Sequence, residues 1–313
     1  MEILRNIEFV VAKSKYVSID IDAMEPLLDK ISKNILSSNS INTFKNKYFE
    51  NKSSFAEALF IFACVNFCFW NKDDWKIKTT NGEFLSRTEA MEYCVYSWCN
   101  DGGNASEIIE RLTYSKFVND LQGGHGLQFL KERWQYLKFG QKILNEKYKG
   151  SFVYLVDASG NDAIRMLNIL IIDFPFFNDV TLYRGRLISF HKKAQVLVSS
   201  INKLYAENKI LNSDKLTSFS DYRLPQLLRY YGILVYNSEL SDLVDNLMYV
   251  DKGSKQEVEI RASCLWAIEL MKQILYMNYN VNIKSTEIDS LLWSYSRQIK
   301  NIKMHHRTPT TFY

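Results

Sequence analysis

Only four prolines and twelve glycines punctuate these 313 residues. So few breakers leave little room for a turn-rich β architecture, and the many long side chains between them favour helices packed on helices. One stretch makes the point: FAEALFIFACVNFCF, residues 55–69, is apolar almost all round and reads as a buried helix running up to Trp70. After a polar turn at NKDDW come two short alternating runs around Asn81-Gly82, which predict a hairpin with a type I′ turn. VTLYRGRLISF predicts a second, with Gly185 at its tip.

Elsewhere the period is helical. Leu197, Ile201 and Leu204 share a face, as do Leu240, Leu243, Val244, Leu247 and Met248 behind a Ser238 cap. Ile288, Leu291, Leu292 and Tyr295 form a third face behind a Thr286/Asp289 capping box, and residues 256–277 form one long helix. The expected fold is mainly α with one or two small β-hairpins. It is a single helical unit over 1–313, divisible at most into two lobes, with no repeat and no linker.

Charge and cysteines narrow the function classes. The net charge of +4 is spread along the chain with no basic tail; it suits one small anion as well as a polymer and does not decide between them. Cys64, Cys68, Cys94, Cys99 and Cys264 are odd in number and lie in apolar settings, which reads as reduced buried thiols in a cytosolic protein. Cys64 and Cys68 stand one helical turn apart, but nothing completes a zinc pattern. No metal, cofactor or membrane span is expected. Glycine-rich nucleotide loops, HExxH and GxSxG are absent from the sequence, and His125, His191, His305 and His306 form no triad by spacing.

Four clusters remain. Asn66, Phe69 and Trp70 in NFCFW are either core packing or a stacking platform for a flat heterocycle. Lys192 and Lys193, after His191 at a helix start, are a solvated turn or a phosphate grip. Glu257 and Glu259 open the long helix, as dipole complements or as partners for a buried cation. Asp221, ahead of Tyr222, Arg223 and Pro225, is a helix cap or a carboxylate facing an electron-poor carbon.

Taken in order, several stretches resemble the queuosine salvage family. They are NFCFW (66–70), GSF (150–152), FP (174–175) and DVTLYRGRLISFHKKAQVL (179–197), followed by LTSFSDYRLPQLLRYYGILVYNSEL (216–240), KQEVEIRASCLWAIEL (255–270), IDSLLW (288–293) and HHRTPTTFY (305–313). The family-like region runs from about 60 to 313. The resemblance implies a helical fold similar to helix-hairpin-helix DNA glycosylases. It also implies an N-glycoside hydrolase that frees queuine from queuosine 5′-phosphate, a small nucleotide substrate, with no direct contact to nucleic acid. On that reading LPQLLRYYG and ILVYNSEL form helix, turn at Gly232, helix.

The same resemblance makes Asp221 the catalytic carboxylate. Lys192 is the first choice for the 5′-phosphate, and His191, Lys193, Arg223 and Tyr313 are further ones. Tyr222 lies in the same motif as Asp221. Phe69 and Trp70 would stack on the base beside Asn66, and Glu257 or Glu259 would hold its secondary ammonium. A polymer-acting glycosylase and a non-catalytic nucleotide-binding module are the alternatives.

Overall fold

The computed structural model describes residues 2–34, 51–71, 74–121, 126–207 and 210–313. His125 and part of the NKDDW turn lie outside the described residues. In chain order the described helices begin with α1 (Glu2–Ala12), α2 (Glu25–Ser32), α3 (Lys52–Val65), α4 (Arg87–Cys99) and α5 (Ala105–Arg111). Next come α6 (Tyr114–Leu121), α7 (Leu130–Lys147), α8 (Phe152–Ala158), α9 (Ala163–Asp173) and α10 (Lys192–Leu204). The last are α11 (Arg223–Tyr230), α12 (Ser238–Asp245), α13 (Lys255–Tyr279) and α14 (Ser285–Ser296). Among the described residues six short strands pair two by two, all antiparallel: β1 (Val17–Ile19) with β6 (Leu234–Tyr236), β2 (Lys76–Lys78) with β3 (Phe84–Ser86), and β4 (Val180–Tyr183) with β5 (Arg186–Ser189). The fold is mainly α with small hairpins, as expected. Among the described residues no helix is long and apolar enough to cross a membrane.

The chain divides into two compact units. The first comprises the described residues of 1–40, 179–192 and 214–309. Its centre is α13, against which α1, α2, α11, α14 and β1 pack. From Glu257 to Leu265 every residue of α13 is buried, so the helix has no solvent face to carry Glu257, Glu259 and Arg261. Those three charges must find partners inside. Their partners define the site described below.

The second unit comprises the described residues of 41–178, 193–213 and 310–313, with α3 at its centre against α4, α5, α7 and α8. Gly140 on α7 lets the two backbones close up, since a Cβ there would lie 3.1 Å from the Phe60 ring. Phe60 in turn stacks on Phe152 at 5.1 Å. One buried charge sits in this helix. The Glu57 carboxylate accepts from Ala105 N (2.9 Å), Phe152 N (2.8 Å) and Val153 N (3.2 Å), and from the Ser151 hydroxyl. These are the free amides at the starts of α5 and α8, where an anion is favoured.

Several local expectations need correction. Helix α3 stops at Val65 rather than near Trp70, because Asn66 leaves helical geometry and Cys68 takes a left-handed φ of 44°. Cys64 and Cys68 therefore do not share a helical face. The turn at Asn81-Gly82 is not type I′: only Gly82 has positive φ, and Gly82 N bonds to Thr79 O while Thr79 N bonds to Glu83 O. That is a type I turn followed by a left-handed glycine. The I′ pattern belongs to the second hairpin, where Arg184 and Gly185 both have positive φ. Asn237, not Ser238, caps α12, accepting from Leu240 N at 2.9 Å. That helix ends at Asp245, so Leu247 and Met248 lie beyond it. Helix α14 starts at Ser285, and Asp289 serves Phe219 N rather than a capping box. Strand β6 stands between α11 and α12, so Gly232 is followed by a strand before the next helix.

Candidate active site

The first unit gathers the charged candidates. Residues 216–221 are a buried non-helical segment leading into α11, and Asp221 is 8% exposed. Its Oδ1 accepts from Arg223 N at 2.7 Å, which caps the first turn of α11. Its Oδ2 lies 3.8 Å from Lys192 Nζ. The cap and the charge pair coexist because the carboxylate has two oxygens and uses one for each.

Lys192 owes its position to the end of the β4–β5 hairpin. Phe190 N and His191 N both donate to the backbone oxygen of Asp179, at 2.9 and 3.3 Å. His191 then takes a φ of 47°, which turns the chain abruptly from strand into α10. The His191 ring is buried, and its Nδ1 has no hydrogen-bond partner among the described residues. Burial pushes its pKa below the usual histidine value; Asp179 pulls it up and Arg261 adds to the fall. His191 is therefore neutral at physiological pH.

Arg261 holds this corner from below. Its Nη1 and Nη2 reach the two Asp179 oxygens at 3.1 and 2.5 Å, Nη1 also reaches Glu257 at 3.2 Å, and Nε donates to Ser220 O at 3.3 Å. The guanidinium lies 3.9 Å from the Phe190 ring centroid. On the far side, Phe219 N donates to Asp289 Oδ2 at 2.6 Å. The segment carrying Asp221 is thus held at two consecutive residues by buried charges.

The remaining first-unit candidates are engaged elsewhere. Tyr222 stacks on His305 at 4.2 Å, and Arg223 donates to Gln226 at 3.1 Å. Glu257 accepts from Gly253 N as well as from Arg261. Glu259 Oε2 accepts from Ser14 Oγ, Lys15 N and Tyr16 N within 2.7 Å, and Oε1 accepts from Tyr183 Oη at 2.7 Å. Four donors from the protein itself occupy that carboxylate. Glu259 is accordingly a tie between the N-terminal segment, the hairpin and α13.

Asn66, Phe69, Trp70, Lys193 and Tyr313 belong to the second unit. There the fully buried Arg133 donates to the carbonyls of Val65 and Phe67, and to those of Cys68 and Gln128 at 3.2 Å each. Its guanidinium also lies over Phe67 and Phe69. Phe69 stacks on Trp75 at 5.9 Å, the Trp70 carbonyl accepts from Gln128, and Cys68 N donates to Tyr313 O at 3.0 Å. Tyr313 is buried, and so is Asn66 Oδ1, which has no hydrogen-bond partner among the described residues. The Lys193 ammonium lies 4.4–5.6 Å from the ring centroids of Phe67, Tyr136, Phe176 and Phe177. Phe67 and Lys193 are thus core, and Lys193 is shielded rather than presented at a surface.

Sequence reasoning missed Asp179, Arg133 and Glu57, and saw Asp289 only as part of a capping box. Each acts on a backbone group or a charge far away in the chain, and spacing carries no signal for that. The signal that could have found Arg261 is its place four residues after Glu257, a separation that puts both on one helix face.

Fold and site define a helical enzyme-like protein with a carboxylate–ammonium pair set among buried polar groups. The family model described as queuosine salvage protein matches residues 46–313, and the chain belongs to that family. It is similar to proteins named queuosine 5′-phosphate N-glycosylase/hydrolase in three organisms. With that of Sphaerobacter thermophilus it is 28% identical over 97% of this chain and 95% of the relative. With that of Bos taurus it is 31% identical over 79% of each, and with that of Dictyostelium discoideum 26% identical over 96% and 95%.

Proposed function

We propose that this chain hydrolyses the N-glycosidic bond of queuosine 5′-phosphate and releases queuine for reinsertion into tRNA. The shared name of its relatives supports the activity. The observation in this molecule that carries it is the division of Asp221: one oxygen is fixed by Arg223 N and the other faces Lys192.

Cleaving the bond builds positive charge at ribose C1′ and negative charge on the departing base. Queuine is a 7-deazapurine and has no N7 to protonate, so more of the barrier must be lowered from the sugar side. A carboxylate anchored through one oxygen can stabilise the oxocarbenium-like state with the other and orient the attacking water. We assign that role to Asp221. Lys192 takes the 5′-phosphate: its ammonium stands at the head of a thirteen-residue helix, whose first amides also favour an anion. His191, neutral and with Nδ1 uncommitted among the described residues, supplies a hydrogen bond to the substrate. The five cysteines, all free and buried, fit a cytosolic location.

The test is incubation with queuosine 5′-phosphate and detection of free queuine by mass, with queuosine, guanosine 5′-phosphate and a DNA duplex alongside. Asp221→Asn keeps the cap to Arg223 N but loses the charge. It should lower turnover by about two to three orders of magnitude while leaving the melting temperature nearly unchanged. Turnover near that of the unmodified protein would reduce Asp221 to a helix cap. Base release from the duplex would move the assignment to a polymer-acting glycosylase.

A further inference from the structure

We propose that Arg261 is a positioning residue for catalysis, a side chain that sets the distance between Asp221 and Lys192; this rests on the reading of Asp221 given above. The two groups, one for the reacting carbon and one for the phosphate, come from segments far apart in sequence, one following the β4–β5 hairpin and one preceding α11. Arg261 grips both. Through Asp179 it holds the residue whose backbone oxygen receives Phe190 N and His191 N, immediately before Lys192. Through Nε it holds the carbonyl of Ser220, immediately before Asp221. The Phe190 ring lies against the guanidinium, and Glu257, one turn earlier on α13, fixes the arginine to its own helix. The path from Lys192 to Asp221 therefore passes through one planar, fully buried group.

Chemistry explains why the residue is arginine. The task needs donors in three directions within one plane, which a guanidinium supplies and an ammonium does not. Lysine at 261 would still neutralise Asp179 and Glu257, and so preserve the buried charge balance. It would give up the third direction, the bond to Ser220 O. A displacement of about 1 Å at a reacting group is enough to cost on the order of 100-fold in rate.

The experiment is a double-mutant cycle on the full chain, with single-turnover rates measured on queuosine 5′-phosphate. Arg261→Lys should lower kcat about 100-fold and leave KM within about threefold. Combined with Asp221→Asn it should add little further loss, because Arg261 acts through Asp221. A residue that merely holds the fold together would lower the melting temperature and multiply the Asp221→Asn loss instead. Asp179→Asn is the second variant: it retains a neutral acceptor for Arg261 and should lower kcat about tenfold with the same non-additivity. A kcat near that of the unmodified protein in Arg261→Lys, a rise confined to KM, or multiplicative losses would overturn the proposal. If Asp221→Asn alone leaves turnover intact, the catalytic role of Asp221 falls whatever the Arg261 variants do, so the two failures are told apart.

Discussion

Arg261 in the first unit and Arg133 in the second are both buried guanidiniums, and they solve the cost of burial in opposite ways. Arg261 is met by two carboxylates, one carbonyl and the face of Phe190. Arg133 is met by four backbone carbonyls and the faces of Phe67 and Phe69. Two of those carbonyls, Val65 and Phe67, lie at and just past the end of α3, where a cation complements the helix dipole and fills orphan acceptors. Arg133 is thus the stopper of a helix, and Arg261 is a junction between charged side chains. The first arrangement fixes backbone shape. The second fixes where charges stand relative to one another, which is what a reaction centre needs.

The comparison breaks most visibly at Arg133. Arg133→Met would leave buried carbonyls without donors, at about 3–4 kcal/mol of stability in total. That corresponds to a fall of roughly 5 °C in melting temperature, read by calorimetry. By contrast, Arg261→Lys should register mainly in kcat, as set out above. If Arg133→Met proved as stable as the unmodified protein, its carbonyls would have found other donors and its role as a stopper would be lost.

An effect smaller over any one pH unit separates the units by pH. His306 in the first unit is fully buried, and its pKa is pushed down to about 3 by burial, then by His305 and by Arg261. Below its ordinary value of about 6.5 the unfolded chain takes up a proton that the folded chain refuses. Stability should therefore fall as pH drops from about 6.5 towards 3, by about 1.4 kcal/mol per pH unit for this one group. His191, also shifted downward, acts in the same direction. Replacing His306 with Gln should flatten the slope of denaturant midpoint against pH in this range; an unchanged slope would assign it to other groups.

The smallest effect is at Gly185. Nothing lies within 4 Å of an added Cβ, so Gly185→Ala should cost only the strain of a φ of 80°, about 1 kcal/mol. Urea denaturation of that variant tests whether the hairpin ahead of Lys192 tolerates such strain with kcat intact.

Periodicity and turn chemistry reached the elements whose logic is local. The long helix α13, the helix that starts at Lys192 and both hairpins follow from residues within a dozen positions of one another. So does the capping role of Asp221, whose partner is two residues away. What stayed hidden is long-range. The partners of Glu259 at Ser14, Lys15 and Tyr16 lie more than 240 residues away. Glu57 sits in an apolar run, and nothing near it in the chain announces the free amides that α5 and α8 bring to it. The cluster NFCFW was legible as rings but not as a segment bent by Arg133, because no spacing rule links residues 65–68 to residue 133.

The tie at Glu259 bears on modularity. The family match begins at residue 46, yet the carboxylate of Glu259, well inside it, draws three of its four hydrogen bonds from residues 14–16. A chain trimmed to the matched region would keep every proposed reacting group and still bury a carboxylate stripped of most of its donors. The border recognised by similarity is therefore not a border at which the protein can be cut; the first unit begins, in energetic terms, ahead of it.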